Sequence, residues 1–169
     1  MASMTTGKVL NYKNDDEYTT PKYIWELVSK YIDKSTVLYD PFYCEGSTKK
    51  YLEELGYKNV IHNDEDFYDN YGKYTDISNL LILTNPPFSS KQKVFKQLKE
   101  IDKPFCVLVP ISTIIKVYFN KLFKNQIQLI LPTKRLHFEK NGKMLPNSWF
   151  DTCFICYKMD LPNDINYME

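Results

Sequence analysis

The sequence predicts an α/β fold in which a mostly parallel central sheet carries helices on both faces. Three observations lead there. Short apolar runs alternate along the chain with segments of helical period, the pattern of strand–helix–strand units. Several runs, such as the LLIL centre of NLLILT (79–84), are continuously apolar, as strands covered on both faces must be. The chain's 169 residues, 43% of them hydrophobic, suit one domain with a real core.

Each element follows from a local signal. Residues 1–17 are polar and aperiodic and are expected to form a flexible leading segment. Thr19-Thr20-Pro21 opens a helix, with Thr20 as N-cap and Pro21 at the first helical position, and Ile24, Trp25, Val28, Tyr31 and Ile32 follow at helical spacing. TVLYD (36–40) is a strand, GSTKKYLEELG (46–56) a helix with a glycine stop, and NVIHND (59–64) a second strand. After an aromatic, turn-rich stretch come the NLLILT strand and the amphipathic helix KQKVFKQLKEI (91–101). PFCVLVP (104–110) is a strand, TIIKVYFNKLF (113–123) a helix, IQLILP (127–132) a strand and DTCFICYKM (151–159) the last strand. Residues 18–159 thus form a single domain, and residues 160–169 read as an acidic tail.

Composition excludes some classes of function. No apolar run approaches the roughly 20 residues that cross a bilayer, and the leading segment lacks a signal-peptide pattern. The expectation is an intracellular, cytoplasmic protein with no membrane partner. Cys44, Cys106, Cys153 and Cys156 lie mostly in apolar surroundings and are expected as reduced thiols. Cys153 and Cys156 have CxxC spacing, but residues three apart on a strand point to opposite faces, and no second CxxC completes a zinc site. No metal is expected.

The net charge of +1 conceals an asymmetry. Residues 1–90 hold 9 basic and 14 acidic side chains, whereas residues 91–158 hold 13 and 4. A basic half suits either a polyanionic partner or a solvated lysine face. Arg135 is the sole arginine, which favours contact with a nucleic-acid backbone over the reading of base edges.

In an open α/β sheet, ligands bind beyond the carboxyl ends of the strands, where the strand order reverses. The first strand ends in YDPFYCEGS (39–47), the second in NDEDFY (63–68), and the third in Asn85-Pro86-Pro87-Phe88. All three are expected at one crevice. The Asn85 side-chain oxygen and the Pro86 carbonyl are two acceptors able to draw on the protons of an attacking amine. Proline fixes φ and lacks a competing N–H, so the turn holds these acceptors in place. Phe88 offers a flat face for a stacked base. The plainer alternative is a Pro-Pro turn in which Asn85 caps and Phe88 packs. Asp40 ends the first strand and Gly46 closes its loop, where backbone can approach a ligand. Asp64 follows Asp40 by 24 residues, near the spacing at which Rossmann-type folds place an acid for ribose hydroxyls; Glu65 serves if the strand ends one residue later. GxGxxG is absent, so a nicotinamide enzyme gains little support.

The segments DPFYCEG, NDEDF and NPPF, in this order and spacing, resemble the motifs of S-adenosylmethionine-dependent amino-group methyltransferases, chiefly the DNA adenine-N6 family. The resemblance runs from about Tyr18 to Tyr157, and the length matches that family's single-domain phage and viral members. It implies a Rossmann-like class I methyltransferase fold with an antiparallel C-terminal strand, and S-adenosylmethionine as cofactor. It implies a catalytic role for Asn85, Pro86, Pro87 and Phe88. Asp40, Pro41, Phe42 and Gly46 would meet the amino-acid part of the cofactor, Tyr18, Thr20 and Pro21 its methionine end, Asp64 the ribose, and Asp66 and Phe67 the adenine. TKRLHFEKNG (133–142) resembles a basic turn found late in these enzymes, so Lys134, Arg135 and His137, with Lys91 and Lys93, would contact nucleic acid. Where the family commonly has a glycine, this chain has Cys44.

The expected reaction is methyl transfer to the N6 amine of adenine in DNA. Adenosine in RNA, including the cap, and glutamine N5 in protein are alternative targets, and a non-catalytic nucleic-acid- or cofactor-binding subunit is an alternative of another class. No segment is long enough for a separate target-recognition domain, which leaves room for a partner subunit.

Overall fold

The computed structural model describes residues 18–146 and 150–169; the expected leading segment 1–17 lies outside the described residues. Strands form on the apolar runs: β1 (Val37–Tyr39), β2 (Val60–Ile61), β3 (Leu80–Thr84), β4 (Phe105–Pro110), β5 (Ile127–Pro132) and β8 (Thr152–Tyr157). A two-stranded hairpin, β6 (Glu139–Lys140) and β7 (Lys143–Met144), stands apart, and β9 (Ile165–Met168) ends the chain. Helices α1 (Lys22–Ser29), α2 (Ser47–Glu54), α3 (Phe67–Asn70), α4 (Lys91–Ile101) and α5 (Val117–Phe123) connect them.

The seven-stranded sheet has the order β2-β1-β3-β4-β8-β5-β9, and every neighbouring pair is parallel except those involving β8. This is the expected Rossmann-like architecture. The chain runs outward from β1 to β2, then returns past β1 to β3. Strand order therefore reverses between β1 and β3, the position at which such sheets open a ligand crevice.

Period-2 alternation divides the core between the two faces. Leu81, Leu83, Cys106, Leu108, Phe154 and Cys156 face α1 and α2, where Ile24, Trp25, Val28 and Leu52 cover them. Ile82, Phe105, Val107, Cys153, Ile155 and Tyr157 face Val94, Phe95 and Leu98 of α4 and Phe119 and Phe123 of α5. Cys153 and Cys156 fall on opposite faces, as strand geometry requires. Cys156 instead stands opposite Cys106 on β4, Sγ to Sγ 3.6 Å, and burial holds the Cys106 thiol well above its usual range.

Three segments differ from expectation. Pro21 takes an extended conformation (ψ 155°) at the N-cap of α1 with no side-chain cap, so Thr20 does not cap the helix. TIIKVYFNKLF is not one helix: a 3-10 turn over Ile111–Ile115 and an extended Lys116 (ψ 138°) precede α5. Its run of β-branched residues loses rotamer freedom in a helix, and Asn120 reaches back to cap the Ile114 carbonyl at 3.1 Å.

The third difference lies at the chain's end. Residues 160–169, expected as a tail, contain β9, parallel to β5. Asn166 and Met168 point inward while Ile165 and Tyr167 are exposed. The inward asparagine hid the strand from a reading of apolar period. Its amide is satisfied by the carbonyls of Leu129 (3.1 Å) and Asn163 (2.7 Å). Among the described residues no helix is long and apolar enough to cross a membrane.

Because Met168 is a core residue, Met168→Ala is expected to lower the free energy of unfolding by about 2–5 kcal/mol. Urea titration measures this. A residue in a solvated tail would leave the midpoint unchanged.

Candidate active site

β3 is buried throughout and delivers Asn85 to the carboxyl edge of the sheet beside the β1 terminus. The Asn85 amide does not rotate freely. Its Nδ2 donates to Thr20 Oγ1 at 2.9 Å, and Thr20 is itself 5% exposed. With the NH₂ fixed in that direction, Oδ1 points the other way. It is buried and has no hydrogen-bond partner among the described residues. An orphaned buried acceptor costs about 1–3 kcal/mol, so a fold that retains one invites a ligand donor.

The rest of the tetrapeptide forms a rigid turn. Pro86 is buried, and the Pro87 carbonyl accepts from both the backbone N–H and the hydroxyl of Ser90, each at 3.2 Å. Phe88 meets Phe150 edge-on, with ring centroids 5.6 Å apart, and the Lys91 ammonium lies 5.9 Å from its ring.

Asn85 and Pro87 stand at one side of a cavity of about 310 Å³. Tyr18, Pro41, Phe42, Asp64, Asp66 and Phe67 line it, so with Asn85 and Pro87 eight residues singled out in the sequence come together from four separate segments. Tyr43, Cys44, Glu65 and Tyr68 complete the walls. Pro86 and Phe88 do not line it. Phe67 is only 2% exposed, held edge-on by Phe42 at 5.4 Å, and Asp66 caps α3 by accepting from the Asp69 N–H at 3.1 Å. Between the two candidate acids at the β2 terminus, Glu65 is engaged: Tyr74 OH (2.5 Å) and Lys73 (3.0 Å) donate to it and hold its carboxyl below the usual range. Asp64 is exposed at the cavity wall.

Together with Thr20, Trp25 and Thr48, Asp40 lines a small adjoining pocket, which shares Tyr18, Phe42, Tyr43, Cys44 and Asn85 with the larger cavity. Its carboxylate is 3% exposed and accepts from Thr84 Oγ1 at 2.6 Å and from the Phe42 N–H at 3.2 Å. His62 Nδ1 is 3.0 Å from the Asp40 carbonyl and 3.5 Å from its carboxylate. Two acceptors facing Nδ1 place the imidazole proton there. Desolvation raises the Asp40 pKa, opposed by His62, the Thr84 hydroxyl, the Phe42 amide and Thr48.

Above His62, Tyr43 stacks at 5.0 Å and covers Gly46, whose φ is +84°. A Cβ at Gly46 would run into the Tyr43 ring. Cys44, in the place of the expected glycine, adopts a left-handed φ of +51° with its side chain exposed, so it does not fill the loop. Tyr43 had no signal in the sequence; its role appears only when the loop folds back over β2.

The remaining candidate residues scatter. Pro21 is buried behind Thr20. Lys93 extends over the Tyr68 ring at 3.8 Å, at the cavity's rim. Lys134 and Arg135 line a second cavity, described below. His137 lies elsewhere: Tyr23 OH accepts from its backbone N–H at 2.7 Å and donates to its carbonyl at 3.1 Å, and its Nδ1 is buried without a partner among the described residues.

No protein-family model matches this sequence, and no curated protein does. Among solved structures, the chain is similar to TrmN from Thermus thermophilus, with 13% identity and a TM-score of 0.38. The match covers 79% of this chain and 47% of that one, so the chain spans about half the length of that structure.

Asp40 gives a pH signature. A folded-state pKa above the unfolded value means the unfolded chain ionises first, so its burial erodes stability as pH rises from the ordinary carboxylate range to the raised value. Asp40→Asn is expected to remove that erosion. Its unfolding free energy relative to wild type should climb across this window by up to about 1.4 kcal/mol per pH unit, read from urea titrations at successive pH values. A constant difference would show that Asp40 does not titrate as described.

Proposed function

We propose that this protein is an S-adenosylmethionine-dependent methyltransferase acting on the exocyclic N6 amine of adenine, in DNA. One observation carries the reading: Asn85, a residue of the cavity wall, holds its Oδ1 buried and without a partner among the described residues while its Nδ2 donates to Thr20. That is what an enzyme needs to receive an N–H of a reacting amine.

The residues present fit the cofactor. Phe42 and Phe67 supply rings for a purine, the Asp64 and Asp66 carboxylates supply acceptors for hydroxyl or amino hydrogens, and the acids favour a cationic ligand. About 310 Å³ lies at the lower end of the range for small-molecule sites. When bound, S-adenosylmethionine supplies an electrophilic methyl group on a cationic sulfur.

The chain's own part is to orient the amine. Asn85 Oδ1 accepts one N–H and the Pro86 carbonyl accepts the second, so the nitrogen lone pair is directed and its protons are drawn away as charge develops. Neither group is a strong base, so the surplus proton on the methylated nitrogen would pass to water, with the neutral thioether as leaving group. Preorganised acceptors of this kind act by stabilising charge in the transition state, and loss of one typically costs about 10²–10³ in rate. Thr20 is a positioning residue: it removes the freedom of the amide to rotate. Phe88 and the cations of the basic half support a nucleic-acid substrate, with the target base turned out of its stack.

Incubation with radiolabelled S-adenosylmethionine and separate DNA, RNA and protein pools is expected to label adenine in DNA. Asn85→Ala should reduce kcat by about 10²–10³ with cofactor affinity by equilibrium dialysis unchanged. Thr20→Val should lower kcat by a smaller factor, again without loss of cofactor. Cofactor binding without transfer to any pool would identify a binding subunit instead, and label in RNA or protein would reassign the substrate.

A further inference from the structure

A second cavity, of about 260 Å³, opens on the same edge of the sheet where β4, β8 and β5 end or begin. Ile111, Leu131, Pro132 and Leu136 give it apolar walls. Thr152 lies in its lining at 5% exposure, and its Oγ1 has no hydrogen-bond partner among the described residues. Two cations, Lys134 and Arg135, and one anion, Asp151, also line it; Arg135 Nε is 3.2 Å from Asp151 Oδ1. None of these atoms is used in the chemistry proposed above.

Phe88, in the turn that follows Asn85 at the first cavity, meets Phe150 edge-on. Phe150 immediately precedes Asp151, whose carbonyl accepts from the Ile111 N–H at 2.8 Å, so the ring pair links the Asn85 turn to the second cavity's wall. On the sheet, β3 and β8 are two steps apart, or roughly 10 Å at the usual strand spacing. Stacked nucleotides in one strand are only about 3.4 Å apart.

We infer that the second cavity is a subsite for a nucleotide of the DNA strand one or two positions from the target adenine, splayed away from it by the Phe88–Phe150 pair. This rests on the methyltransferase reading above. The apolar walls take the base, and the Thr152 hydroxyl, which both donates and accepts, meets a polar edge of any base. Lys134 and Arg135 meet the attached phosphate, with Asp151 holding the guanidinium at the rim. One hydroxyl able to pair with every base gives weak sequence preference, so the subsite fixes the strand's register rather than reading it. A volume below the usual range for small-molecule sites admits one ring system and no larger ligand.

The test uses short single-stranded oligodeoxynucleotides with one adenine and an abasic position moved stepwise along the strand. For the wild-type chain, an abasic position one or two nucleotides from the adenine is expected to raise KM about tenfold with kcat unchanged. Lys134→Ala/Arg135→Ala should raise KM similarly on the intact strand. Ile111→Trp places a ring in the cavity from a position that is 38% exposed, so the core is undisturbed; it should raise KM and abolish the abasic effect. A wild-type enzyme that methylates DNA but shows a flat abasic scan would overturn the subsite alone. Ile111→Trp with KM and scan like wild type would do the same. No methyl transfer to DNA by the wild-type chain would overturn the underlying reading and the subsite with it.

Discussion

The site depends on a carboxylate buried where the strand order reverses. Asp40 is the first residue after β1, and the Thr84 hydroxyl that binds it is the last residue of β3. That one hydrogen bond ties the two strands together at the point where their connections diverge and a crevice must open. Taking a carboxylate out of water costs several kcal/mol. The fold offsets this with Thr84, the Phe42 amide and His62, each from a different segment of the edge. The β1 loop, the β2 terminus and the β3 terminus are thereby referred to a common point. The walls of the cavity are the side chains that follow immediately in those three segments.

Asn85 adds a second constraint of the same kind. An amide at a strand end has two nearly equivalent orientations, which exchange its oxygen and nitrogen. In the orientation observed, Nδ2 donates to the Thr20 hydroxyl, which anchors the amide's nitrogen side. Thr20 is in turn held next to Thr19, whose backbone N–H and carbonyl pair with Glu139 of the β6–β7 hairpin. The orientation of one amide therefore rests on an N-terminal segment clamped by a C-terminal hairpin.

These long-range ties mark the boundary of what the sequence made legible. Elements with a strong period and a clean stop were readable: α4 begins and ends where the pattern of KQKVFKQLKEI does, and β5 coincides with IQLILP. The three strand-end motifs were readable as one crevice because the α/β topology places every parallel strand's carboxyl end on one edge. What could not be read is which partner a polar residue finds. Thr20 has every local feature of an N-cap, yet its hydroxyl serves a residue 65 positions away. Asn166 looks like a turn residue, and it is an inward strand position because two carbonyls happen to face it. Phe150 gave no signal of its own, since its contact with Phe88 depends on β8 inserting between β4 and β5. Local propensity decides an element; the satisfaction of buried polar groups decides the site.

The charge along the sheet's edge adds a functional argument to the geometric one. Asp64, Glu65 and Asp66 surround the end of β2, and Lys134 and Arg135 follow β5, with the Asn85 turn between them. On the proposed reading the acidic side receives a cation and the basic side a polyanion, so the group that meets both must suit neither charge alone. A carboxylate at position 85 would be repelled by phosphate and would compete for the methyl group as a nucleophile. An ammonium would offer no acceptor at all. A neutral amide with its nitrogen engaged presents one oxygen, accepts a proton's hydrogen bond without taking the proton, and disturbs neither field. On the same reading, the buried oxygen, unpaired among the described residues, gains its partner only when an amine arrives, which would turn a local penalty into differential binding of the reacting group.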